Sequence, residues 1–396
     1  MTASAMFEVL IIVSTGGKTT VPKSSGCSAI NSLLQRVPHP TRFRMRSVAG
    51  AESRKNINAL TGLRGFAATA VVVHHCWLWS VGGSTARGGV PGQWAVDLFF
   101  ALSGFVLSLN YLDGPISWRR FAVARFARIY PLHIATALAM ALILLVKWKT
   151  GVTHRDPSLT IGQTVREFGM LTAMPVIGRN MIWNDPSWSI SVEAWTYILL
   201  FPLIVIVPRG FPMRWIVAFV FIMLVALTLA MYCLPAGAPP NRGWIALARA
   251  MIEFAGGWVA YLICTTGRSP IGSIQTDLIM MATLGVLASV PLTNIEPWVL
   301  IPVFPLLVAG IAAGGSVTSR VFAQPALLYL GEISFSIYLM HPFVLMAVQP
   351  VLLNFKVEHV FTLWVAVVVP ASIAVSAVTY RFIEKLSRNW IRGWLN

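Results

Sequence analysis

Long apolar runs, separated by short stretches rich in Pro, Gly and Arg, recur from residue 62 to residue 382. A helix needs about 20 residues to cross the hydrocarbon of a bilayer. On that measure the pattern predicts about ten spans, at 62–80, 92–112, 129–147, 188–207, 214–234, 245–264, 275–292, 297–315, 327–351 and 360–382. The seventh and eighth meet at a boundary crowded by Pro291 and Pro302. Between the third and fourth runs, Ile161 to Met174 is amphipathic and is expected to lie along the membrane interface. The expected fold is therefore all-α, a polytopic membrane helix bundle over residues 57–390.

Composition agrees with that reading. Apolar residues make up 56% of 396 positions and charged residues only 11%. Soluble domains carry about a quarter charged residues. So few charges could not cover a water-facing surface, and those present are expected at loops and at functional points.

The excess of 30 Lys and Arg over 14 Asp and Glu gives a net charge of +16. Nucleic-acid binding is one account of such basicity. The distribution favours another, because cytoplasmic loops of membrane proteins collect Lys and Arg. Arg119, Arg120, Arg125 and Arg128 precede the third span, and Arg209 and Arg214, Arg268 and Arg320 fall in later alternate loops. Arg381, Lys385, Arg388 and Arg392 follow the last span. With ten spans all of these share one side, which places both termini in the cytoplasm, and the inner (cytoplasmic) membrane is the expected location. The loop over 148–187, with Lys149, Arg155, Arg166 and Arg179, runs against the rule, which long loops obey less strictly.

Residues 1–56 are basic and rich in Ser, Gly and Pro, and are expected to form a disordered cytoplasmic tail. The apolar run Phe7–Val13 is short, with no basic residue before it, so it makes a poor signal peptide. Met45 is an alternative start. Cys27, Cys76, Cys233 and Cys264 are scattered without CxxC spacing, which indicates neither a zinc site nor a disulfide framework.

The first span carries unusual polar groups, Arg64, His74 and His75. Arg64 and His75 are separated by about 1100° of helix, some 20° beyond three turns, so they share a face about 16 Å apart along the axis. His74 points about 80° away in the other direction. Arg64 alone reads as a snorkelling interfacial residue. A histidine deep in a span is costly and more often functional.

Further motifs accompany this pair. They are "VDLFFALSGF" (Val96–Phe105), "RFARIYP" (Arg125–Pro131), "PSWSISVEAW" (Pro186–Trp195), "LGEISFSIYLMHP" (Leu330–Pro342) and "YRFIEK" (Tyr380–Lys385). Together they resemble the membrane-bound acyltransferase-3 family, whose members share an Arg-x10-His pair on the first span and similar stretches in the same order. The resemblance runs from about Leu60 to Lys385. Two positions depart from it. Ala124 stands where the family often has the first Arg of a pair, and Ala194 follows Glu193 where an acidic or bulky residue is common. The chain ends soon after the last span, so the extracytoplasmic hydrolase-like domain that some members append is expected to be absent.

The resemblance implies transfer of an acyl group, usually acetyl, from acyl-CoA to a hydroxyl of a glycan or lipid-linked sugar. No tightly bound cofactor or metal is expected, and acyl-CoA is the co-substrate. Arg64, Arg125 and Arg128 would meet the donor's phosphates, since the guanidinium fork suits phosphate oxygens. Positive-inside anchoring is the alternative for the last two. His75 would act as general base or form an acyl intermediate. Glu193 or Asp97 would orient it, or would pair with Arg64 or Arg249 inside the bundle. Asp97, Trp188, Ser189 and His341 are further substrate-binding candidates. The bland readings are interfacial anchoring for Trp188, helix packing for Ser189, and, for His341, capping of carbonyls freed by Pro342. His133 and His154 have no supporting context. Competing classes are a transporter or flippase, which the lack of internal repeats disfavours, and a non-catalytic scaffold.

Overall fold

The computed structural model describes residues 52–81, 90–151, 160–174, 183–207, 210–234, 241–265, 271–293, 295–352 and 360–393, with side chains from residue 57. Every regular element among them is helical. In chain order these are α1 (Glu52–Ser80), α2 (Trp94–Tyr111), α3 (Trp118–Lys149), α4 (Ile161–Phe168), α5 (Ser187–Leu199), α6 (Phe201–Ile206), α7 (Met213–Tyr232) and α8 (Gly243–Thr265). They continue with α9 (Ser273–Ser289), α10 (Phe304–Ala313), α11 (Val317–Phe322), α12 (Pro325–Glu332), α13 (Ser334–Leu352), α14 (Val360–Thr379) and α15 (Lys385–Gly393). A π-helical turn, Tyr380–Glu384, joins the last two. Residues 1–51, and with them almost all of the expected tail, lie outside the described residues, as does His154.

Eight helices among the described residues are long and apolar enough to cross a membrane. They coincide with eight of the expected runs. The other two differ for separate reasons. Helix α1 has 29 residues, about 43 Å of rise, which is ample length. Arg64, His74 and His75 lower its hydropathy. The run at 297–315 is not one helix: a 3-10 turn over Pro297–Leu300 precedes the ten-residue α10. Pro302 and Pro305 lie at the break, where each lacks the N–H that a continuous helix would use, and Pro305 is accommodated in the first turn of α10. The ninth run is also divided, into α12 and α13, at Ile333.

Outward faces are apolar. Trp215, Phe219 and Ile222 on α7, and Ile274, Leu278 and Met281 on α9, are exposed. Such faces suit lipid, where backbone polar groups must be satisfied inside each helix.

The interior is organised around two close crossings. A Cβ on Gly65 of α1 would lie 2.5 Å from the Gly331 nitrogen of α12, and one on Gly331 would lie 1.9 Å from the Thr61 carbonyl oxygen. Between α2 and α8, a Cβ on Gly104 would fall 1.9 Å from the Phe254 oxygen, and one on Gly257 would fall 1.8 Å from the Ala101 oxygen. No side chain fits at these four positions, and glycine is what lets the backbones meet. Helix α1 also packs against α2, α10, α11, α13 and α14, so the residues of its inner face meet many elements.

The α2–α8 crossing is further tied by a buried ionic cluster. Arg249 of α8 pairs with Asp97 of α2 through its Nε at 2.5 Å, and its Nε stands 3.6 Å from Glu253. The guanidinium also lies over the Trp188 and Trp298 rings, at 5.7 and 4.8 Å from their centroids. Helix α3 starts at Trp118 rather than near 129, because the Ser117 hydroxyl accepts the Arg120 N–H and caps it. Arg125 and Arg128 therefore sit on a continuous helix as neighbours on one face. The amphipathic stretch is helical over Ile161–Phe168, and His133 of α3 anchors it through Nε2 to the Glu167 carbonyl at 2.8 Å.

Candidate active site

The candidate site has an imidazole level and an arginine level, both served by α1. At the imidazole level, His75 is half-buried and donates from Nδ1 to the Val71 carbonyl at 2.9 Å. That bond fixes the proton on Nδ1 and leaves the Nε2 lone pair available. Nε2 makes no hydrogen bond to a described residue. The His341 ring of α13 stands 4.8 Å from the His75 ring, centroid to centroid. His341 is fully buried, its Nδ1 faces the Ile337 carbonyl at 3.3 Å, and its Nε2 has no partner. Pro342 follows it without ending α13.

His74 is engaged elsewhere. Its Nδ1 bonds the Val90 carbonyl at 2.5 Å, and its Cβ is where a Cβ on Gly92 would clash, 2.2 Å away. His75 turns toward α13, and His74 toward the segment that leads into α2.

At the arginine level, Arg64 is half-buried and makes no hydrogen bond or ion pair with a described residue. Its charge interacts with Arg128, Glu193 and Glu384 and with the Tyr197 hydroxyl. Glu193 of α5 accepts hydrogen bonds from Ser103 of α2 and Tyr197, each at 2.5 Å. Arg128 pairs with Glu384 of the π turn, whose other oxygen accepts from Ser336 of α13 at 2.9 Å. Arg125 lies 6.0 Å from the Tyr111 ring centroid, and its Nε is buried without a partner.

Several expected roles are corrected. Glu193 does not orient His75, because Val71 holds Nδ1 and the carboxylate belongs to the arginine level with Ser103 and Tyr197. Asp97 is fully buried against Arg249, which is the internal pairing left open above rather than a substrate contact. Trp188 is 7% exposed, packed on Arg249 and edge-on to Phe100, so no ring face is open to a sugar. Ser189 shares a hydrogen bond of 2.9 Å with the Tyr338 hydroxyl, one helical turn before His341, and so links α5 to α13.

Ser103, Tyr197, Ser336, Tyr338 and Glu384 escaped the sequence reading as site residues. Each lies within or next to a quoted motif, but nothing in a motif says which distant helix its hydroxyl or carboxylate will meet. Glu253 carried no motif at all.

Residues 57–381 match the acyltransferase-3 family, described as an acyltransferase domain. The chain is 32% identical over 313 residues to the acyltransferase MdmB of Streptomyces mycarofaciens, covering 72% of this chain and 77% of that one. It is 23% identical over 381 residues to the peptidoglycan O-acetyltransferase OatA of Listeria monocytogenes, covering 87% of this chain and 57% of OatA. A putative O-acetyltransferase of Staphylococcus aureus is 20% identical over 366 residues, covering 83% of this chain and 56% of its own length. No solved structure matches the chain. With a family match over most of its length and a multi-pass set of apolar helices, the chain belongs to the acyltransferase-3 family and is a membrane acyltransferase.

Proposed function

We propose that this acyltransferase moves an acetyl group from cytosolic acetyl-CoA to a hydroxyl of an extracytoplasmic glycan or lipid-linked sugar, in the inner (cytoplasmic) membrane. The observation that carries the reading is the arrangement on α1. Arg64, beside Arg128 and Glu193 and hydrogen-bonded to none of the described residues, and His75, whose Nε2 bonds none of them and which stands beside His341, lie on one helix face about 16 Å apart along the axis. A donor with its phosphates at one end and its thioester at the end of a long arm fits that separation. The acetyl assignment follows the O-acetyltransferases among the relatives.

In the ten-crossing topology, α1 is the first crossing and the broken stretch ending in α10 is the eighth. The basic loops then face the cytoplasm, both termini included. Arg64 and its neighbours lie on the donor side and His75 lies toward the acceptor side.

His75 Nε2 removes the proton from the acceptor hydroxyl as its oxygen attacks the thioester carbonyl. The tetrahedral intermediate collapses, the C–S bond breaks, and the CoA thiolate takes that proton from Nε2. The Val71 carbonyl does the orienting that a carboxylate does in hydrolase triads, holding the tautomer through Nδ1–H. His341 lines the same place, with an unpartnered Nε2 able to accept a hydrogen bond from a hydroxyl. Glu193, anchored by Ser103 and Tyr197, keeps a negative charge near Arg64 and positions it.

The test is base-labile ester on surface carbohydrate from cells carrying wild-type or His75→Ala protein. Ester lost in the variant, with the protein inserted at normal level, is the expected result. Ester retained in His75→Ala overturns the proposal. Purified protein that moves glycan across vesicles without consuming acetyl-CoA favours a transporter instead.

A further inference from the structure

The arginine level continues beyond the residues assigned above. Helix α15 packs along α3 and carries Arg388 and Arg392, one turn apart on one face. Arg388 stands 3.9 Å from Glu384, the carboxylate that holds Arg128, and its Nη2 donates to the Tyr380 hydroxyl at 3.4 Å. Arg392 is exposed, and its charge interacts with Arg388, Arg125 and Arg128. Arg64, Arg125, Arg128, Arg388 and Arg392 thus form a series of interacting guanidiniums, with Glu193 and Glu384 as the counter-charges among the described residues. Like charges gathered this way repel unless an anion joins them. The buried, unpartnered Nε of Arg125 points to the same conclusion.

We propose that Arg388 and Arg392 of the C-terminal helix complete the phosphate-binding site of the acyl donor, with Arg392 reading the outermost phosphate, the 3′-phosphate of CoA. This rests on the acyl-CoA reading above. The order of groups supports it. Arg64 lies on the helix that carries His75, Arg388 meets Glu384 next to Arg128, and Arg392 lies about 6 Å further along α15. A donor with its thioester near His75 runs its pyrophosphate past Arg64 and Arg128 and its ribose phosphate toward Arg392. The chemistry recognised is an anionic phosphate group, which anionic lipid headgroups also carry, and the test separates the two.

Full-length protein in nanodiscs is titrated calorimetrically with CoA, dephospho-CoA and pantetheine, in zwitterionic and in anionic lipid. Wild type is expected to bind CoA more tightly than dephospho-CoA, and both more tightly than pantetheine. Arg392→Gln, at an exposed position that leaves packing intact, is expected to weaken CoA about tenfold, to the dephospho-CoA level, with pantetheine unchanged. Arg392→Lys should recover part of the loss. An undiminished preference for CoA in Arg392→Gln overturns this proposal alone. Wild type that binds pantetheine as tightly as CoA overturns the donor reading with it. An effect of Arg392→Gln seen only in anionic lipid assigns the residue to headgroups, which also overturns the proposal.

Discussion

The buried cluster of Asp97, Arg249 and Glu253 gives a sharp ordering of stabilities. All three side chains are at most 2% exposed, and one guanidinium faces two carboxyl groups. One cation neutralises one carboxylate. Arg249→Met leaves two acidic groups buried side by side with no cation, and breaking a buried pair in this way costs about 3–5 kcal/mol. Asp97→Asn leaves Arg249 with Glu253 at 3.6 Å, so a pair survives and the cost falls to about 1–3 kcal/mol, near that of lost charge-assisted hydrogen bonds. Glu253→Gln removes the carboxyl without its own counter-ion and keeps the shape, and is expected within about 1 kcal/mol of wild type. Trp188 rests on Arg249, so Arg249→Met should also loosen α5, which carries Glu193 and Ser189. Thermal and denaturant unfolding of the three variants in one detergent supply the comparison. Glu253→Gln as damaging as Arg249→Met would refute the charge-balance argument, because the cluster would then depend on both acids equally.

Three other outcomes are expected. His75→Ala should lower the acetyl-transfer rate by about 10²–10⁴, the usual contribution of a general base, whereas His74→Ala, which loses a loop contact, should act mainly on stability. Steady-state assays of both variants check this, and a reversed order would place the wrong imidazole in the site. On the proposed donor reading, Arg64→Ala should raise KM for acetyl-CoA by more than it lowers kcat, a split read directly from donor titrations. Glu167 of α4 is fully buried, and burial raises its carboxyl from 4.5 to about 7 despite hydrogen bonds from the Trp183 N–H and the Gln163 amide. Its folded pKa lies above the unfolded value, so its stabilising contribution is full below about pH 4.5 and is lost as pH rises through 7. The loss totals about 3 kcal/mol and levels off above that pH. Glu167→Gln should flatten that decline in unfolding free energy between pH 4.5 and 7.5.

The sequence by itself determined the membrane class, the positions of most helices and the α1 register. Apolar run length against bilayer thickness decides the first two. The fixed rise and turn of a helix decides the third, which puts His75 rather than His74 on the face of Arg64. The motifs also marked both histidines and the Arg125–Arg128 face. They could not say what those groups would touch. Whether 297–315 forms one helix depended on how several prolines act together beside α10. Asp97 and Trp188 read as substrate contacts until packing joined them to Arg249, a residue 152 positions away from Asp97. His341 met His75, and Glu384 met Arg128, only because α12 and α13 close on α1 at the glycine crossing and the π turn returns to α3. Local geometry is written in consecutive residues. Partnership across helices is set by which backbones can approach and which buried charges must be matched, and only the folded chain settles that.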